Sequence, residues 1–122
     1  MGNPVIVTVD DQEFICGLVA TILKDTYDVH TFTSGEKAIA FLSTHSVDLI
    51  LLDYEMPEMT GYEVLMAIHA DKRTANIPVV FLTGVTNARL EAEMLQRGAS
   101  AYIRKPIVPS DLLRCINEVL RS

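Results

Sequence analysis

The chain has 122 residues, 49% of them hydrophobic and 21% charged, and carries a net charge of −6. That length suits a single domain, expected over residues 1–122, with a real core, and the composition excludes a disordered or low-complexity chain. No apolar run approaches the roughly 20 residues of a membrane helix, and the acidic balance argues against direct nucleic-acid binding, which rests on clustered Lys and Arg.

The first predicted strand is Val5–Val9, and Asp10-Asp11 follow it. Phe14, Ile15, Leu18, Val19, Ile22 and Leu23 then recur at the 3–4 spacing of a helix. Residues 27–32 (YDVHTF) alternate as an edge strand would, and Thr33 with Glu36 predicts a capping box before a helix over 38–42. The third strand is predicted over 47–52, and its apolar run ends on Asp53. Val64, Leu65 and Ile68 mark the next helix, and 77–82 the fourth strand, closing on Thr83-Gly84. A fourth helix is predicted over 86–97, with Gly98 in the left-handed position after it. A short fifth strand over 101–103 runs into Arg104, Lys105 and Pro106, and the last helix covers Pro109–Arg121. The two cysteines, Cys16 and Cys115, lie far apart without metal-site spacing and read as reduced thiols of a cytoplasmic protein. No signal-peptide pattern is read at the N-terminus.

Unbroken apolar strands alternating with helices predict a parallel sheet covered on both faces. Right-handed crossovers then give five βα units in three layers. In such folds function sits beyond the carboxyl ends of the strands. Asp10-Asp11, Asp53, Thr83 and Lys105 all follow strands, so three carboxylates, a hydroxyl and an ammonium should converge there. Singly, each reads as a cap, a turn residue or a solvated charge; jointly, at four strand ends, they define a site.

Two carboxylates about 4 Å apart repel by about 4 kcal/mol at an effective dielectric near 20. Lys105 offsets one charge and leaves an acidic site, which suits a hard divalent cation, Mg²⁺. His30, His45 and His69 fall in unrelated elements, so no zinc set forms. Asp53, presented at the open end of a buried strand, is placed to attack phosphorus and form an aspartyl phosphate. Lys105 and Thr83 would stabilise the phosphoryl oxygens. In the following turn Pro57 blocks an immediate helix, Gly61 permits a sharp entry into the next one, and the Glu55 carbonyl is free to ligate metal.

Together, VDD at Asp10-Asp11, LLDYEMPEMTG around Asp53, FLTG at Thr83 and AYIRKP at Tyr102 and Lys105 resemble the receiver domains of two-component response regulators. The resemblance spans essentially the whole chain. It implies the flavodoxin-like (βα)5 fold with strand order 2-1-3-4-5. It also implies phosphoryl transfer to Asp53 from a histidine kinase or phosphotransfer protein, with Mg²⁺ at Asp10 or Asp11, Asp53 and the Glu55 carbonyl. Thr83 and Tyr102 resemble the family's switch pair, Gly84 leaves the loop room to move, and Lys105-Pro106 is expected to be cis. The surface of the fourth helix, fifth strand and last helix is then where an output domain or partner protein would be controlled. Such a domain catalyses only its own phosphorylation and dephosphorylation. Two rival classes fit less well. A flavodoxin-type cofactor binder wants a Ser/Thr/Gly-rich phosphate cradle where Asp10-Asp11 stand, and a haloacid-dehalogenase-like hydrolase wants Asp-x-Asp in place of Asp10-Asp11-Gln12.

Overall fold

The computed structural model describes residues 2–84 and 87–121. Five strands and five helices alternate along it: β1 (Val5–Val9), α1 (Glu13–Leu23), β2 (Asp28–Phe32), α2 (Gly35–Leu42), β3 (Leu49–Asp53), α3 (Gly61–Ala70), β4 (Val79–Thr83), α4 (Ala88–Gln96), β5 (Ala101–Arg104) and α5 (Pro109–Arg121). The strands form one parallel sheet in the order β2-β1-β3-β4-β5. The flavodoxin-like order expected from the sequence is the one observed.

The period-2 geometry of the strands sorts their side chains into two cores. Val7, Val9, Ile50, Leu52, Val79 and Phe81 pack on one face with residues of α2, α3 and α4. Ile6, Leu49, Leu51, Val80, Leu82 and Ile103 pack on the other with α1 and α5. Every residue of β3 and β4 is buried, which is why those stretches read as continuous apolar runs. The edge strand β2 mixes exposed and half-buried positions, as its alternation predicts.

Several boundaries differ from expectation. β3 begins at Leu49 and includes Asp53, and β4 begins at Val79 and includes Thr83. Apolar composition marks burial, and Val47 is buried before the β3 ladder begins. The predicted Thr33/Glu36 capping box is not formed. Ser34 is the N-cap of α2, and its hydroxyl accepts the Lys37 N–H at 3.1 Å. Two adjacent hydroxyls could each cap this helix, and the extended backbone at Ser34 decides between them. A complete capping box occurs instead at α3, where Thr60 accepts the Glu63 N–H and Glu63 accepts the Thr60 N–H, both at 3.1 Å. The predicted fourth-helix start at 86 lies outside the described residues; α4 runs from Ala88 behind an Asn87 cap, with Arg97 as its C-cap. Gly98 has φ +110°, the left-handed region expected of it.

Candidate functional site

Register brings the strand ends together. Val9 pairs with Leu52, so Asp10 and Asp53 leave adjacent strands side by side, at the point where the strand order reverses. Asp53 pairs with Leu82, which places Thr83 one step beyond it, and Thr83 pairs with Arg104, next to Lys105. The Lys105 N–H donates to the Thr83 carbonyl at 2.8 Å, carrying the ladder past the end of β5. The Lys105-Pro106 bond is cis.

The turn after Asp53 depends on Gly61. A Cβ there would collide with the Asp53 carbonyl oxygen and lie 2.8 Å from the Tyr54 Cα. Only a residue without a side chain lets α3 start this close to the end of β3. The Gly61 N–H closes the turn on the Tyr54 carbonyl at 3.2 Å.

Asp10 and Asp53 are almost fully buried, whereas Asp11 is exposed. The Lys105 ammonium donates to Asp10 Oδ2 at 3.0 Å and to Asp53 Oδ1 at 3.2 Å. Asp10 Oδ1 also accepts the Gln12 N–H at 2.9 Å. Asp10, Asp11 and Asp53 each offer a carboxylate oxygen, all within 4.8 Å of one another. One lysine against three carboxylates leaves surplus negative charge. Burial and then the Asp10 charge push the Asp53 carboxyl up to about 6, against the opposing pull of Lys105. Burial works against the Lys105 ammonium, but Asp10 and then Asp53 outweigh it and leave its pKa raised. The donor set is all oxygen and carries excess charge, which fits a hard divalent cation and offers nothing to a soft one.

Thr83 is fully buried at the end of β4. Gly84, beyond it, donates its N–H to Glu55 Oε1 at 3.0 Å. Tyr102, on β5, is half-buried against the core that includes Phe81. Its hydroxyl faces Glu91 of α4, whose carboxylate holds the phenol above its ordinary pKa. Glu91 also accepts two bonds from Arg104, at 2.9 Å from Nε and 2.6 Å from a terminal nitrogen. The fold thus brings Asp10, Asp11, Asp53, Lys105 and the Glu55 loop to one crevice with Thr83 beside it. Sequence reasoning missed the side-chain contacts of Glu55 and Glu91. Both look like solvated charges, and only the neighbouring loop or strand gives them a partner.

The chain is similar to known proteins. The family model described as "Response regulator receiver domain" matches residues 6–117. The two-component response regulator ORR5 of Oryza sativa subsp. japonica is 34% identical over 98% of this chain and 91% of its own. A probable cyclic di-GMP phosphodiesterase of Vibrio cholerae is 38% identical over 84% of this chain, which corresponds to 23% of that protein's length. Among solved structures, the chemotaxis protein CheY4 of Vibrio cholerae superposes with a TM-score of 0.91 at 30% identity, covering 97% of this chain and 99% of CheY4. The chain belongs to the response regulator receiver domain family, a signalling module of two-component systems. Among the described residues no helix is long and apolar enough to cross a membrane.

Proposed function

We propose that residues 1–122 act as one receiver domain whose phosphoacceptor is Asp53, in the cytoplasm. The observation that carries this reading is the buried Asp53 carboxylate held 3.2 Å from the Lys105 ammonium in a crevice with Asp10 and Asp11. The donor is the phosphohistidine of a histidine kinase or a phosphotransfer protein. An Asp53 carboxylate oxygen forms the new bond to phosphorus as the nitrogen–phosphorus bond breaks. The bond pair leaves on the imidazole nitrogen, which takes a proton from solvent.

Asp10, Asp11, Asp53 and the Glu55 carbonyl would hold Mg²⁺, which supplies positive charge to the transferring phosphoryl oxygens. Lys105 balances charge on the same oxygens, and the Thr83 hydroxyl donates to one of them. Once phosphorylated, Asp53 draws the Thr83-Gly84 loop inward, and Tyr102 turns into the space vacated. The α4, β5 and α5 surface then changes, and there the domain meets its output domain or partner protein. Neither nucleic acid nor membrane is contacted directly. Apart from its own phosphorylation and dephosphorylation the domain catalyses nothing.

Incubation with acetyl phosphate and Mg²⁺, borohydride reduction and peptide mapping test the assignment. Reduction is expected to convert Asp53 alone to homoserine. Conversion of another carboxylate, with Asp53 intact, would refute it.

A further inference from the structure

Glu55 bridges the two loops that frame the crevice. Its main-chain N–H donates to Asp53 Oδ1 at 3.3 Å, while its side chain crosses to the next loop and accepts the Gly84 N–H at 3.0 Å. The side chain is exposed, so no apolar burial draws it there. Charge opposes the position, because Asp10, Asp11 and Asp53 already crowd the same edge. What favours it is the Gly84 N–H, a main-chain donor at the rim of the site, bonded to a carboxylate in a charge-assisted bond. This donor is therefore an anion seat, and the chain's own carboxylate sits in it.

We propose that the Glu55 side chain is an internal competitor of the phosphoryl group, occupying the Gly84 N–H in the unphosphorylated domain and giving it up on phosphorylation. The proposal rests on Asp53 being the phosphoacceptor. A phosphoryl group on Asp53 brings roughly −1.5 to −2 charge and three strong acceptor oxygens. It repels Glu55 and competes for the same donor, and both effects release the side chain. Glu55 in this role touches none of the reacting atoms. It positions the Thr83-Gly84 loop beforehand and sets how tightly a phosphoryl group is held afterwards.

Simple removal of negative charge would also favour an added anion, so a charge control is needed. Glu58 provides it, standing three residues along the same loop and lining, with Asp11, a cavity of about 370 Å³ beside the site. Beryllofluoride is titrated by NMR into wild type, Glu55→Ala, Glu55→Gln and Glu58→Ala at saturating Mg²⁺, in low and high salt. Glu55→Ala is expected to bind about five-fold more tightly, the equivalent of one ordinary hydrogen bond, with the gain persisting in high salt. Glu55→Gln, which keeps an acceptor but loses the charge, should fall between it and wild type. Glu58→Ala should gain less than Glu55→Ala, and what it gains should vanish in high salt. Without metal or beryllofluoride, the Gly84 amide proton of Glu55→Ala should move upfield as its charge-assisted bond is lost. An unchanged Gly84 amide, an unchanged or weaker affinity in Glu55→Ala, or an equal gain in Glu58→Ala would each overturn the proposal. Asp53→Asn separates the two assignments: its loss of beryllofluoride binding upholds the phosphoacceptor on which the proposal rests. Binding at wild-type affinity in that variant overturns both, whatever Glu55 does.

Discussion

Asp53 closes β3 behind four aliphatic residues with no exposed surface, Leu49 to Leu52, and its protonation follows from that position. Its carboxyl is pushed up to about 6, first by burial and then by Asp10, from an ordinary 3.8. Without metal, the folded state between these values holds a proton that the unfolded chain has released. Stability therefore falls as pH rises from about 4 to about 6, and the full penalty stands above that window. Asp53→Asn carries no such charge. Chemical denaturation in a chelator should find it more stable than wild type at neutral pH, with the difference shrinking as pH falls toward 4. A difference that stays constant with pH would contradict this origin. Thr8 offers a second test, since its hydroxyl is fully buried on β1 and has no hydrogen-bond partner among the described residues. Thr8→Val keeps the shape, removes the orphan, and should raise the unfolding free energy by about 1 kcal/mol; a lower denaturation midpoint would show that the hydroxyl is satisfied. Among site residues, the legible ones were those that interrupt a pattern. Asp53 stands out at the end of the apolar run of β3 and Lys105 just past the end of β5, whereas Glu55, in a loop between Tyr54 and Met56, and Glu91, on a helix between Leu90 and Ala92, acquire meaning only through Gly84 and Arg104.

Between elements, one tight junction is α3 against the end of β3. Gly61→Ala would drive a methyl into the Asp53 carbonyl and the Tyr54 Cα, both main-chain atoms with little freedom to retreat. Overpacking of this kind costs about 1–3 kcal/mol, and a denaturation midpoint equal to wild type would show that the turn relaxes. The second junction is α4 on β5, where Glu91 is nearly buried and engages Arg104 and Tyr102. Glu91→Gln should lower the Tyr102 phenol pKa toward its ordinary value, read from the ring carbon shifts. An unchanged titration would show that Glu91 does not hold the hydroxyl. At this scale strand existence and order were legible from the apolar runs, and helix existence from the 3–4 spacing. Strand limits were not, because hydrophobicity reports burial and the ladder follows register: Val47 is buried ahead of β3, and Asp53 is within it. The choice of Ser34 over Thr33 was equally hidden, since both hydroxyls stand before the same helix.

Across the whole molecule, the strand order 2-1-3-4-5 gathers residues from the ends of β1, β3, β4 and β5. It leaves α4, β5 and α5 adjoining on one side, so a movement of the Thr83-Gly84 loop has a short path to that surface. The proposed signalling by population shift would use this path. Beryllofluoride with Mg²⁺ should shift amide resonances from the loops around Asp53 out to Tyr102 and α4. Thr83→Ala should still accept beryllofluoride but confine the shifts to those loops. Full propagation in Thr83→Ala would remove Thr83 from the coupling. The proposed function depends on Asp53 as the nucleophile. The most direct measurement is intact mass after acetyl phosphate, for wild type and Asp53→Asn, with and without Mg²⁺. A single base-labile phosphoryl group is expected on wild type with Mg²⁺, and none on wild type without the metal or on the variant; an Asp53→Asn protein that still gains one phosphoryl mass would remove Asp53 as the phosphoacceptor.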